Sequence, residues 1–322
     1  MRPMLFTTAL ACAALICIYD APADAHVIAG SRVFPVTLTF DDPGVSDEAS
    51  LPAFGYQPGA TNEYDVGAEY DKTITPNTAL IFNDGYDYLQ TRGAKTEQGL
   101  ENLYITGKWQ AYTNDEHEFV VSAGIIREIG GTGAVHAGAD AVGSTAPTGY
   151  FGKGFGDMPI GVFRPFAITG EFGYTIADKA LKALPPAGGM GFQTSALTGL
   201  PAVQYNNGGN NFSSGGLSLQ YSIPYLQSQV KNVGISGVFA NMIPVAELTW
   251  ATPATAPSSQ GVGNTSWTAA PGVIYLAQWG EVGLEALVPM NKAAGSNVGA
   301  VLLVHFFFDD LFPNSIGKAL IQ

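Results

Sequence analysis

The sequence is short of cysteine. Its 322 residues include two cysteines, Cys12 and Cys17, and both lie near the start of the chain. Everything after residue 17 therefore lacks a thiol for a disulfide, a thiolate metal centre or a cysteine nucleophile. A disulfide-stapled secreted fold and a cysteine-dependent enzyme are excluded for this part of the chain.

Charged residues are also scarce, and positive charge is the scarcer kind. Only 13% of the residues are charged, where an ordinary soluble domain has about a quarter. Lys and Arg number 14 against 27 Asp and Glu, for a net charge of −13. The sequence has no basic patch, so nucleic acid is a poor partner. Because 46% of the residues are hydrophobic, the low charge favours a protein whose surface faces lipid.

The sequence contains no apolar run long enough for a transmembrane helix, which needs about 20 apolar residues. Its longest run covers residues 5–18 and follows Arg2, while Ala23 and Ala25 lie just beyond it. A basic start, a short apolar core and small residues at positions −3 and −1 predict a secretory signal peptide over 1–25, cleaved before His26.

The clearest pattern in the chain is alternation near its C-terminus. Over residues 281–308, apolar side chains recur at every second position on both sides of a turn-rich break at 291–296. Such a period of two predicts a long antiparallel hairpin. In an outer-membrane barrel the apolar face meets lipid, whereas in a soluble protein it covers a core. One apolar face contains Val282, Leu284, Ala286 and Val288, and the other contains Val298, Ala300, Leu302, Val304, Phe306 and Phe308.

Similar alternation recurs through the rest of the chain. It predicts about ten strands, each near the 9–11 residues that cross a bilayer at a slant. Further strands within 130–160 or 178–212 would raise the number to about twelve. Short links make neighbouring strands antiparallel, because parallel neighbours need long crossovers. The predicted fold is all-β: an antiparallel transmembrane β-barrel of about 10–12 strands, of the outer-membrane type, with a soluble periplasmic β protein as the alternative.

The region before the predicted barrel is acidic. Asp41, Asp42, Asp47 and Glu48 match no EF-hand spacing, so we predict no metal site there and expect a solvated segment that lies in the periplasm or is folded into the barrel mouth. The predicted divisions are a signal peptide over 1–25, an N-terminal periplasmic or plug-like segment over 26–60, a β-barrel over 61–308 and a C-terminal tail over 309–322.

Three stretches of the chain resemble a family of proteobacterial outer-membrane β-barrel proteins. They cover residues 150–174, 221–234 and 283–313. That family is loosely similar to the transporters named after the phenol-degradation MetA pathway. The resemblance implies a barrel in the outer membrane with a transport role, and it implies no catalytic residues. The chain departs from many outer-membrane barrels because it does not end on an aromatic residue.

Polar side chains with inward parity are the candidate site. Acids predominate among them, and acidic rings favour cations over anions in a pore. Alternatively, these acids pair with bases or bind water inside a filled barrel. The lumen-lining candidates are Glu63, Asp65, Glu69, Asp71, Lys108, Glu118, Glu171, Gln220, Glu247, Glu281, Glu285 and His305.

The sequence offers no catalytic motif. His117, His136 and His305 are in no HExxH spacing, and no GxSxG elbow is present. We therefore predict no enzyme, no catalytic or metal-binding residue and no cofactor. His117 keeps one alternative open, since it lies at a hairpin end where a membrane-embedded hydrolase could place its base.

The function predicted from these features is passive uptake of a small solute through an outer-membrane channel that leans toward cations. A structural or adhesive barrel without an open pore is the first alternative, and a membrane-embedded hydrolase is the second. The expected partners are outer-membrane lipid and the machinery that assembles barrels in that membrane.

Overall fold

Twelve long strands form one closed antiparallel sheet in the computed structural model, which describes residues 27–179, 191–194, 201–204, 211–254 and 265–321. The predicted signal peptide and His26 lie outside the described residues. The barrel strands are β3 (Glu48–Gln57), β4 (Thr61–Thr75), β5 (Thr78–Thr91), β7 (Leu103–Asn114), β8 (Phe119–Ile129), β9 (Ser144–Gly154), β10 (Phe166–Ala177), β13 (Phe212–Tyr221), β14 (Met242–Pro253), β15 (Ser266–Ala277), β16 (Gly280–Pro289) and β17 (Gly299–Phe307).

The remaining described elements are short. They comprise five strands outside the barrel order and a few single turns of helix. No helix among the described residues is long and apolar enough to cross a membrane. The short elements are β1 (Val27–Ala29), β2 (Arg32–Phe34), β6 (Glu97–Leu100), β11 (Gly191–Thr194), β12 (Pro201–Gln204), α1 (Ile223–Tyr225), α2 (Phe308–Leu311), a π-helical turn (Leu226–Val230) and 3-10 turns at Val135–Ala137, Gly161–Phe163, Gly237–Asn241 and Lys292–Ala294.

Barrel neighbours in the sheet are mostly neighbours in the chain. There are three exceptions. The pairing of β17 with β3 joins the C-terminal hairpin to the first barrel strand, the pairing of β5 with β7 bypasses β6, and the pairing of β10 with β13 bypasses β11 and β12. The pairing of β4 with β5 completes the ring. We call the edge where β3 begins and β17 ends the terminal rim, and the other edge the opposite rim. The predicted antiparallel barrel is confirmed.

The alternation that predicted the strands separates the two faces of the wall. In β13, Leu217 and Leu219 are 44% and 46% exposed, while Ser218 and Gln220 are nearly fully buried. In β16, Leu284 is 53% exposed and lies between buried inward residues. Apolar side chains exposed all around a closed barrel form the surface that lipid covers in outer-membrane barrels.

Aromatic side chains cluster near both rims. At the opposite rim, Tyr64 stacks on Tyr56 with ring centroids 4.9 Å apart and meets Tyr88 edge-on at 6.1 Å. At the terminal rim, the rings of Phe166 and Tyr221 are 4.8 Å apart. Aromatic girdles of this kind mark the two water interfaces of a membrane barrel, where amphipathic rings are stable.

The predicted N-terminal segment over 26–60 is divided by the structure. Residues 48–57 form β3, which pairs with β17 and β4, so the barrel begins at Glu48 rather than at residue 61. Sequence alternation fails in β3 because the strand is irregular around Pro52. Its register with both neighbouring strands, β17 and β4, shifts between Ser50 and Ala53. Alternation predicts ten of the twelve barrel strands. The other two are β3 and β9, and β9 lies within the glycine-rich stretch at 130–160.

The C-terminal tail lies against the terminal rim. The backbone N–H groups of Leu320 and Ile321 donate to the carbonyls of Thr73 and Ile74, at 3.2 and 2.8 Å. These carbonyls belong to the end of β4 that extends past its pairing with β3. The tail therefore supplies hydrogen bonds to a strand end that the barrel leaves open.

A charge placed on the outward face tests this orientation. Leu219→Arg or Leu302→Arg should lower the free energy of unfolding from lipid vesicles by about 2–4 kcal/mol if the site is near the bilayer midplane, because the guanidinium enters hydrocarbon. Leu219→Met is the matched control and should cost less than about 1.5 kcal/mol. Urea titration followed by tryptophan fluorescence measures both, and equal costs for the two substitutions would contradict the assigned face.

Candidate functional site: the barrel lumen

The lumen holds part of the protein's own chain. Residues 35–47, which we call the lumen segment, connect the β1–β2 hairpin to the first barrel strand. Val36, Leu38 and Phe40 of this segment are buried, and so are Asp42 and Asp47. The acidic segment expected to be solvated is therefore inside the barrel, where the wall supplies its partners.

Three glutamates of the wall accept the backbone N–H groups of the lumen segment. Glu281 Oε1 accepts from Val36 at 2.6 Å. Glu247 accepts from the next part of the segment, with Oε2 2.9 Å from the nitrogen of Thr39. Glu171 Oε2 accepts from Asp41 at 3.1 Å. Carboxylates on β16, β14 and β10 thus satisfy amides that would otherwise be buried without partners.

Glycines of the wall make room for the side chains of the lumen segment. A Cβ atom built on Gly216 would lie 2.2 Å from a ring carbon of Phe40, and one on Gly283 would lie 2.5 Å from a methyl of Leu38. Both glycines occupy inward positions of their strands. The segment packs directly on the wall backbone at these points, so any larger residue displaces it.

The middle of the lumen segment is tied to the wall by an ion pair. Lys108 Nζ on β7 lies 3.0 Å from both carboxylate oxygens of Asp41 and 3.8 Å from Oδ1 of Asp42. The same ammonium lies 4.7 Å from the ring centroid of Tyr150. A buried lysine needs such partners, because an unpaired buried charge is costly.

The end of the lumen segment is fastened at the terminal rim. Lys72 Nζ is 2.5 Å from Asp47 Oδ1, which also accepts the backbone N–H of Thr73 at 2.9 Å. The backbone N–H of Asp47 donates to Asp309 Oδ1 at 2.9 Å. Asp47 therefore joins the segment, strand β4 and the C-terminal tail.

The β1–β2 hairpin is fastened by a buried arginine. Arg32 donates from Nε to Glu118 Oε2 at 3.1 Å and from Nη1 to the carbonyl of Pro165 at 3.1 Å. Its guanidinium carbon lies 3.7 Å from the ring centroid of Tyr225, whose hydroxyl donates to Glu118 Oε1 at 2.6 Å. Burial, together with Glu118, raises the pKa of Tyr225 to about 12, so the phenol keeps its proton. We call Arg32, Glu118 and Tyr225 the rim latch.

His305 has the inward orientation that its parity predicts and lies near the terminal rim. Its Nδ1 is 2.9 Å from Ser50 Oγ, and its Nε2 is 3.1 Å from Glu48 Oε2. The imidazole is fully buried. His305 therefore holds β17 to β3 at the join that completes the barrel.

The predicted lumen residues divide into two groups. One group contacts or closely surrounds the lumen segment or its anchors. The other lies apart from it: Asp65 faces Asp87 across the β4–β5 pairing toward the opposite rim, Asn83 donates to Glu69, and Gln220 donates to Thr169 Oγ1 at 3.4 Å. The described structure buries Asp65, Asp71, Lys108, Glu118, Glu171, Gln220, Glu247, Glu281, Glu285 and His305, and leaves Glu63 and Glu69 partly buried.

Several site residues were missed by sequence reasoning. Arg32, Thr39 and Tyr225 lie outside the alternating strands, and nothing in their spacing links them to the barrel. The available signal was the pair of inward glycines at 216 and 283. The other inward positions of their two strands carry side chains, so these two glycines indicate that something else packs against the wall there. Among the described residues, no group of three or more acids, histidines or cysteines has the geometry to hold a metal ion.

His117 lies in an exposed turn. Its Nδ1 is 3.3 Å from Asp157 Oδ2, and Lys153 Nζ is 3.1 Å from the same oxygen. The hydrogen bond from Lys153 lowers the pKa of Asp157. The His117 ring thus contacts an exposed carboxylate that also pairs with Lys153, and nothing in that arrangement activates a nucleophile.

The chain matches no family model and no curated protein sequence. Among solved structures, the NanC porin matches at TM-score 0.48 and 8% identity, over 80% of this chain and 98% of that one. The KdgM porin matches at 0.44 and 8%, over 80% and 98%. An outer membrane channel from Pseudomonas putida F1 matches at 0.49 and 10%, over 89% and 99%. At these identities and scores the likeness is confined to general barrel architecture.

The close contacts between the wall glycines and the lumen segment generate a prediction about packing. Gly216→Val should lower the free energy of unfolding by about 1–3 kcal/mol, because the new side chain overlaps Phe40 in a filled interior. Gly107→Val is the matched control: Gly107 lies on the outward face of β7, and a Cβ there meets nothing within 4 Å. Urea unfolding in the same vesicles measures both variants. If Gly216→Val were no more harmful than Gly107→Val, the lumen segment would not be seated as described.

Proposed function

We propose that the protein is a passive outer-membrane channel for small solutes, that it leans toward cations, and that its lumen segment controls passage. The observation that carries this proposal is the ionisable inner wall of a closed barrel whose outer face is apolar. A barrel with only a structural role needs no such wall, because apolar side chains fill small barrels at lower cost.

The proposed location is the outer membrane. The exposed apolar belt and the aromatic rims support it, since both are features of barrels that lipid surrounds. We expect export by the signal peptide over 1–25 and insertion by the machinery that assembles such barrels. The similarity to MetA-pathway transporters rests on the three sequence stretches quoted above and agrees with a transport role.

The preference for cations follows from the charge of the interior. Among the described residues, twelve Asp and Glu side chains are buried against two basic side chains, Arg32 and Lys108, and His305. Asp41 and Asp42 already occupy Lys108, and Glu118 occupies Arg32. Acidic side chains in excess over basic ones along a narrow path attract cations and repel anions.

A closed structural barrel is the second candidate, and the buried lumen segment favours it. The segment is held at the rim latch, at Lys108 and at Asp47, so the resting lumen is obstructed. The two candidates differ in one respect: a channel requires that the segment moves while the barrel stays folded.

Tethering the segment separates the two candidates. A Cβ on Gly216 lies 2.4 Å from Phe40 Cγ, and one more bond of about 1.5 Å puts the two Cβ atoms within about 3.9 Å, close enough for a disulfide. The double variant Phe40→Cys with Gly216→Cys therefore should cross-link. In planar bilayers the oxidised protein should show no single-channel openings, and reduction of the disulfide should restore these openings.

The single variants Phe40→Cys and Gly216→Cys are the controls for the redox treatment and should not respond to it. Openings that are equal before and after reduction would show that the segment does not control passage. A complete lack of conductance in the wild type and all variants would support the structural barrel. In a salt gradient, an anion-selective reversal potential at low ionic strength would contradict the preference for cations.

A further inference from the structure

Two of the three glutamates that hold the lumen segment have unused capacity for hydrogen bonding. Glu171 and Glu281 are 2% and 1% exposed, and in each of them one carboxylate oxygen has no hydrogen-bond partner among the described residues. Those oxygens are Glu171 Oε1 and Glu281 Oε2. Buried oxygens without donors are rare in proteins and point to a missing partner.

The backbone N–H groups of the lumen segment are also a poor chemical match for the carboxylates of the wall. Backbone N–H groups are neutral, so they satisfy geometry without balancing the charge of a buried carboxylate. Hydrogen bonds from ionised N–H donors to carboxylates are roughly twice as strong as neutral ones. The nearby basic side chains are already engaged, because Lys108 pairs with Asp41 and His305 contacts Glu48.

The acceptors are distributed along the segment, so they suit a ligand with several separate donors. Glu281 accepts from residue 36, Glu247 from residues 38 and 39, and Glu171 from residue 41. Residues 38–40 of the segment are bent, so the donors at 36 and 39 are closer than about 10 Å, the distance that three extended residues span. A six-carbon diamine has its two nitrogens about 9 Å apart when extended, and its flexible chain reaches shorter separations by bending.

We propose that Glu171, Glu247 and Glu281 form a binding site for flexible organic cations that carry several N–H donors, such as diamines and polyamines, and that the lumen segment occupies this site from within. The inference rests on the proposed channel, since the ligand reaches the site through the lumen. Binding of the cation and seating of the segment are then mutually exclusive.

The test uses a buried thiol as a reporter of the segment. Thr37 lies within the lumen segment and is buried, and the only native cysteines are in the predicted signal peptide. The variant Thr37→Cys, folded in vesicles, is treated with a thiol-specific methanethiosulfonate reagent. The probe is hexane-1,6-diamine, and the control ligand is hexamethonium, which has the same chain length and charge but no N–H group.

Hexane-1,6-diamine should increase the rate of Thr37→Cys modification, because it displaces the segment. By mass action the displaced population rises as one plus the ratio of ligand to Kd, about elevenfold at ten times Kd. Hexamethonium should leave the rate unchanged. An equal response to both ligands would overturn N–H recognition, and no response to either would overturn the site.

Wall variants locate the effect. Adding Glu247→Gln and Glu281→Gln to the reporter should abolish the response to diamine. Adding Asp65→Asn and Asp87→Asn removes the same amount of charge away from the segment and should preserve it. If both pairs of substitutions act alike, general electrostatic attraction replaces the proposed site.

The labelling experiment is independent of conductance. A barrel that conducts but shows no diamine-dependent labelling would overturn this site and leave the channel intact. A barrel that never conducts but shows the predicted labelling would retain the site and overturn the channel.

Discussion

The hydrogen bonds between wall carboxylates and the backbone of the lumen segment are the constraint on which the interior depends. Glu171, Glu247 and Glu281 lie on three different strands, and their carboxylate oxygens accept hydrogen bonds from the backbone N–H groups of a segment that has no strand partner of its own. Without the segment, the carboxylates would be exposed only to lumen water. Without the carboxylates, the amides of the segment would be buried and unpaired, which is costly for each group. Wall and segment therefore stabilise each other.

The other features of the lumen follow from this mutual requirement. Gly216 and Gly283 are inward glycines because Phe40 and Leu38 approach the wall backbone closely. Lys108 is buried because the segment brings Asp41 to it. The rim latch and Asp47 keep the two ends of the segment at the terminal rim.

Sequence alternation was sufficient for the barrel but not for its contents. The face of each residue in β13 and β16 was predictable, because lipid contact demands apolar side chains at every second position. Strand β3 was missed because a register shift next to Pro52 breaks its alternation. Strand β9 was obscured because its outward positions include Pro147, Gly149 and Lys153. The lumen segment was expected to be solvated, since its partner Lys108 is distant in sequence and only the closed barrel brings them together.

Amide hydrogen exchange tests the central claim most directly, because it reports on the hydrogen bonds themselves. In the folded protein in lipid, the amides of Val36, Leu38, Thr39 and Asp41 should exchange as slowly as those of the barrel strands, since each N–H has a buried carboxylate acceptor. The exposed turn at 295–298 supplies the fast reference within the same molecule. Exchange of the four segment amides as fast as that turn would show that the segment is not held by the wall, and the account of the lumen given above would be wrong.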